Sequence, residues 1–235
     1  MNARIGQACG IGVAWVVTTG MLSAGGVTYN VPDSDAYITF AGRVQLQYHM
    51  TDPDNQPSTD ELLFRRLRVT MSASVHPDWI NRLQVEYGKG DVSLVDAYVQ
   101  YAGWDWADIY IGNYNTPFSR ASIVSSKKLQ LVERPFTGDH NYGTSDRQAG
   151  VHLEGTLAEK RLRWGLALTK AAVDPDNRRI DFDSVASLSK GDDWSEGEMA
   201  VGRLEVCPLG SFAYDQGDFD RTLRVAAGVA GFGWA

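Results

Sequence analysis

The 235-residue sequence has only two cysteines, and they do not serve one another. Cys9 falls in an N-terminal segment with the features of a secretory leader, so Cys207 is left alone afterwards and a disulfide framework is excluded. Long apolar runs are equally scarce. Beyond residue 26 nothing approaches the ~18 residues of a membrane helix. Positive charge is also short: the formal charge is -7 and no basic block stands out, which argues against a nucleic-acid partner. The histidines, His49, His76, His140 and His152, show no metal-ligand spacing, and HExxH, paired CxxC, GxSxG and a phosphate loop ending in Gly-Lys-Ser/Thr are absent. The late glycines of GVAGFG lack the helix and acidic partner of a dinucleotide site. No catalytic residue, metal or cofactor is expected.

The leader itself is legible. Arg4 supplies a small positive start, IGVAWVVTTGML an apolar centre, and SAGG small residues for cleavage, so residues 1–26 are expected to be removed. Cys9 lies too early for a lipoprotein site. An exported chain without an apolar helix is either soluble outside the inner membrane or inserted as a barrel.

What is present in quantity is period-two alternation. In residues 36–49 one face is Ile38, Phe40, Gly42, Val44, Leu46 and Tyr48, and the other includes Thr39, Arg43, Gln45 and Gln47. LLFRRLRVTMSASV, residues 62–75, sets Leu67, Val69, Met71, Ala73 and Val75 against Arg66, Arg68, Thr70, Ser72 and Ser74. NRLQVEYG, LVDAYVQY, DIYIGNYNTPF, RQAGVHLEG and RLRWGLALTK follow suit, with Arg82, Asp96 and Arg163 on the polar side. EMAVGRLEVC and RTLRVAAGVAGFGW make nine segments, although their faces are poorly defined.

Connections alternate between short (HPDWI, AGWDWA, LAEK) and long and acidic (TDPDNQPSTDE and residues 171–197), the loop asymmetry of a membrane barrel. Trp79, Trp104 and Trp106 sit at the short turns, where an interfacial aromatic girdle falls. An all-β transmembrane antiparallel β-barrel is expected. An arginine facing lipid at mid-depth costs about 2–4 kcal/mol, whereas in a water-filled lumen it stays hydrated. Arg66 and Arg68 are therefore placed inside, together with Arg43, Arg82 and Arg163. Arg65 has lipid-side parity and is read as lying at a strand end, where its stem can snorkel. Residues 119–146 are too long for a hairpin and do not alternate; a loop of that length in a barrel is expected to fold inward and narrow the pore.

Several motifs then line up in order: GRVQLQY, FRRLRV, VDAYVQY, IYIGNYNTPFS, SSKKLQLVERPF and DRQAGVHLEG, across roughly residues 38–170. In these the chain resembles the phosphate-selective porins of the O and P type. The resemblance implies a trimeric, 16-stranded channel in the outer membrane of a Gram-negative bacterium, passing inorganic phosphate, polyphosphate or other small anions. It further implies a constriction made by Arg65 and Arg66 of the FRR motif, Asp96 of the DAY motif, Lys127 or Lys128 of the inward loop, and Arg134 after it. The adjacent lysines leave their register open. The chain departs from the family in length: nine segments do not close such a barrel, GFGWA lacks the usual terminal aromatic residue, and residues 27–235 are expected to be its N-terminal part.

Other functional classes also fit parts of the sequence. Glu86 and Glu154, at inward parity, would offset part of the basic path in a general porin. A soluble β-sandwich would use Trp104, Trp106 and Trp194 to stack on carbohydrate, and would stay in the aqueous phase without detergent. A sheath for an electron conduit would need a haem-protein partner, since the chain has no CxxCH. DPDN at 52–55 and 174–177 lacks the glycine and terminal glutamate of a calcium loop and reads as a turn.

Overall fold

The computed structural model describes residues 26–51, 59–90, 92–130, 134–135, 137, 145–173, 180–181, 195–211, 213–216 and 221–235. Residues 1–25 of the expected leader, both DPDN turns and part of the 119–146 segment lie outside the described residues. The nine alternating segments form β2 (Tyr37–Thr51), β3 (Thr59–His76), β4 (Trp79–Glu86), β5 (Ser93–Tyr101), β6 (Ala107–Asn115), β7 (Arg147–Leu157), β8 (Leu162–Val173), β10 (Ser195–Val206) and β11 (Ala227–Trp234). Two short strands, β1 (Val27–Asn30) and β9 (Ile180–Asp181), were not expected. They are too brief for alternation to register.

All pairing is antiparallel, and each strand neighbours the next in the order β1 to β8, then β10 and β11, with β9 beside β8. Among the described residues no ladder joins β1 to β11, so the sheet is open along that line. It nevertheless curls. Phe118, just after β6, packs edge-on against Phe232 of β11 at 4.8 Å, while Ser126, eight residues on, accepts from Arg43 Nη1 of β2 at 2.7 Å. A short segment thus touches strands from both ends of the path across the concave side.

Burial is inverted relative to a water-soluble domain. Large apolar side chains line the convex face in the open, Val44 at 62% and Leu168 at 60% exposure, whereas Gln84, Asp96, Gln148, Thr169 and Glu205 are buried on the concave face. Water would not sustain such an apolar exterior, and lipid does. A row of rings marks one rim. Trp79 meets Tyr101 at 4.9 Å, Tyr101 meets Trp104 at 5.4 Å, Trp104 stacks on Trp106 at 5.6 Å, and Trp106 on Trp164 at 6.0 Å. This is the short-turn rim, where the girdle was expected.

The alternation breaks at bulges. Gln45 pairs with Arg66 but Leu46 with Phe64, which leaves Arg65 as the extra residue. Phe64 is 53% exposed and Arg66 5%, although two positions normally share a face. Arg65 is therefore not at a strand end, where it was read to lie, but inside β3 beside Arg66. Val95 occupies a second bulge, opposite the skip between Gln84 and Val85, and is buried next to Asp96 instead of facing outward with Val99.

Candidate functional site

The concave wall carries two clusters of arginine. The first is built by direct cross-strand neighbours: Arg43 on β2 lies opposite Arg68 on β3, and Arg68 opposite Glu86 on β4. Like charges placed opposite destabilise a sheet, so this pair persists only because other groups hold it. Glu86 binds Arg68 Nε and also accepts from the Leu67 amide at 2.6 Å. Gln45 Oε1 accepts from Arg43 Nη2 at 2.7 Å and from Arg66 Nη1 at 3.0 Å, drawing two guanidinium groups to one oxygen. Arg65 follows on the bulge, half-buried.

Asp96 holds two further arginines, Arg82 Nε at 3.1 Å and Arg147 Nε at 2.7 Å. Arg147 Nη1 also reaches Asp146 Oδ1 at 3.3 Å, so two carboxylates hold these two guanidinium groups. Arg147 escaped sequence reading because it opens β7 on the parity of Val151, and at the first position of a strand the side chain is free to turn inward.

The segment after β6 lies over this wall. Ser119 caps the single-turn helix α1 (Arg120–Ile123), its hydroxyl accepting from the Ala121 amide at 3.2 Å. Arg134 donates to the Ala121 carbonyl, which folds the segment back on itself. Lys127 is exposed and has no ion-pair partner among the described residues, whereas Lys128 Nζ sits 2.7 Å from Asp215 Oδ1. Asp215 belongs to the β10–β11 connection, which rises from the short-turn rim and meets the first segment again where the Gln130 amide donates to Gln216 Oε1 at 2.8 Å. Two inserted segments from opposite rims therefore touch inside the curl.

The second cluster gathers around Glu205. Arg163 Nη1 reaches its Oε1 at 3.1 Å, Arg203 Nη2 binds Oε2, and Arg120 Nη1 lies 3.6 Å away. Arg163 also donates to Ser211 Oγ at 2.5 Å and Arg203 to the Phe118 carbonyl at 3.0 Å. The Tyr214 ring faces all three guanidinium groups, at 4.7 Å from Arg163, 5.3 Å from Arg120 and 5.8 Å from Arg203. Only Arg163 of this group was expected. Arg203 and Glu205 are hidden in sequence because their strand's inner face turns apolar at Met199 and Val201, which pack with Ala167 and Ala171 of β8 against Phe118 and Phe232. Cys207, a free thiol, is fully buried beside Glu205.

A greasy convex face, a charged concave face, an aromatic row at one rim and segments inserted into the curl define a porin-type transmembrane β-barrel wall. The family profile described as phosphate-selective porin O and P matches residues 38–209. The chain belongs to that family, which places it in the outer membrane.

Proposed function

We propose that the chain, after removal of residues 1–26, lines a water-filled outer-membrane channel for small anions, phosphate or polyphosphate foremost, and assembles as a homotrimer in outer-membrane lipid. The observation that carries the proposal is the convergence of Arg43 and Arg66 on Gln45 Oε1, next to the directly opposed Arg68. Phosphate is strongly hydrated, and its passage requires donors that replace part of its water. Guanidinium groups do so with paired, planar N–H bonds, and here they are fixed before the anion arrives. Arg65, Arg134 and the loop lysine extend the same field. Asp96 tempers it and orients Arg82 and Arg147, keeping binding weak enough for release. Arg163 continues the basic path toward the short-turn rim.

In a planar bilayer the protein should give an anion-selective reversal potential, with chloride current blocked by added phosphate. A cation-selective potential would overturn phosphate passage and leave a general porin, whose lumen the carboxylates Glu86, Asp96 and Glu205 would suit. The lysine register is testable in the same way. Because Asp215 neutralises Lys128, Lys127→Ala should weaken the phosphate block more than Lys128→Ala. The reverse order would assign the site to Lys128.

A further inference from the structure

A cavity of about 380 Å³ opens at the short-turn end of the concave wall, bounded by Pro117 and Ile123 of the inserted segment. That volume is in the range of sites for small organic ligands and generous for a bare oxyanion. Its lining is also unlike the first arginine cluster. Asp108 and Glu154 are direct cross-strand partners on β6 and β7, and both line the cavity. Two carboxylates in that relation repel, and a nearby cation is one way to relieve them. Among the described residues neither has an ion-pair partner: Asp108 accepts from the Gln100 and Tyr110 side chains, and Glu154 from Tyr114 Oη at 3.4 Å.

The remaining lining is basic and aromatic. Lys160, Arg163 and Arg203 contribute positive charge, and Trp104, Trp106 and Trp164 contribute rings. Two buried donors here, Arg203 Nε and Trp164 Nε1, have no hydrogen-bond partner among the described residues. Orphaned donors of this kind call for an acceptor that the described residues do not supply. The cavity therefore presents two carboxylates without an ion pair among the described residues, two orphaned donors and π faces within one small volume.

We infer that this cavity is a second binding station, for small phosphate esters or phosphonates that also carry an ammonium group. The ammonium lies against Asp108 and Glu154 with the tryptophan faces beside it, the arrangement that desolvates an alkylammonium ion at least cost. The phosphoryl oxygens take the donors of Arg203 and Lys160. Three cationic side chains suit a phosphoryl dianion better than a single carboxylate. The inference rests on the channel function for the route by which a solute arrives, but its test does not require a pore.

Tryptophan fluorescence of the protein in maltoside micelles reads the site directly, since three indoles line it. Phosphocholine should produce a saturable change, at a concentration about tenfold or more below that needed with inorganic phosphate or choline alone. Glu154→Gln and Asp108→Asn, which relieve a repulsion and so spare folding, should each weaken phosphocholine by about tenfold, the loss expected for one charge-assisted contact. Equal responses to phosphocholine and inorganic phosphate would overturn the inference. So would undiminished binding by both variants, which would mean that a shared proton already relieves the pair. A response lost in micelles bearing phosphocholine headgroups would reassign the occupant to lipid and overturn the solute proposal. A bilayer without anion selectivity would count against the channel function alone and leave the titration intact.

Discussion

Arg66→Ala should raise the phosphate concentration that half-blocks the chloride current by about tenfold or more. A hydrogen bond to a charged group contributes roughly 1.5–3 kcal/mol, and about 1.4 kcal/mol is a factor of ten in binding. Arg66 is 5% exposed and tied to Gln45, so it acts from a fixed position with little reorganisation when the anion arrives. Its loss leaves Gln45 Oε1 still satisfied by Arg43, which makes a collapse of the wall a poor explanation for a weakened block. Arg66→Lys separates charge from geometry: the charge stays, the planar pair of N–H groups goes, and the block should fall between wild type and alanine. An alanine variant with an unchanged block would remove Arg66 from the anion path.

Gly112→Ala should prevent most of the chain from reaching its assembled form. Gly112 has φ +128°, a conformation side chains rarely adopt, and its added Cβ would overlap the Ala97 carbonyl oxygen and stand 2.9 Å from Tyr98 Cα. The strain alone costs about 1–3 kcal/mol, and displacing the β5 backbone adds about as much again. On either side of Gly112 in β6, Tyr110 and Tyr114 stack at 4.0 Å, with the Tyr98 ring edge-on to both at 5.4 and 4.9 Å. Gly90 provides the comparison. It too has positive φ, +85°, but nothing lies within 4 Å of its added Cβ. After refolding in detergent, the compact, heat-modifiable band on a denaturing gel should be largely lost for Gly112→Ala and mostly kept for Gly90→Ala. Equal yields from the two variants would show that the close approach to β5 is unimportant.

Strand identity was legible because alternation against a lipid exterior is a strong pattern. Arg65 was misplaced because a bulge inserts one residue without a mark in the alternation, and every parity count across it slips. A second bulge likewise turns Val95 inward beside Asp96. The poor faces of β10 and β11 have a different cause: around Met199, Val201 and Phe232 the concave side is itself apolar, so both faces look alike. The inward turn of Tyr214 and Asp215 left no periodic trace, since a connection is placed by its contacts alone. The site residues of the Glu205 cluster come from β8, β10, α1 and that connection, and no local motif joins them.

The ring row from Trp79 to Trp164 moors one rim of the wall to the lipid headgroup level, because indoles favour that depth and resist leaving it in either direction. Adjustment to bilayer thickness then falls on the opposite rim. There β2 and β3, at 15 and 18 residues, run well past the about 9–11 residues a tilted strand needs to span. Their outer side stays greasy to Met50 and Leu62. The hairpin thus holds slack, letting a thicker patch of membrane ride up the wall without meeting polar groups or disturbing the arginines below.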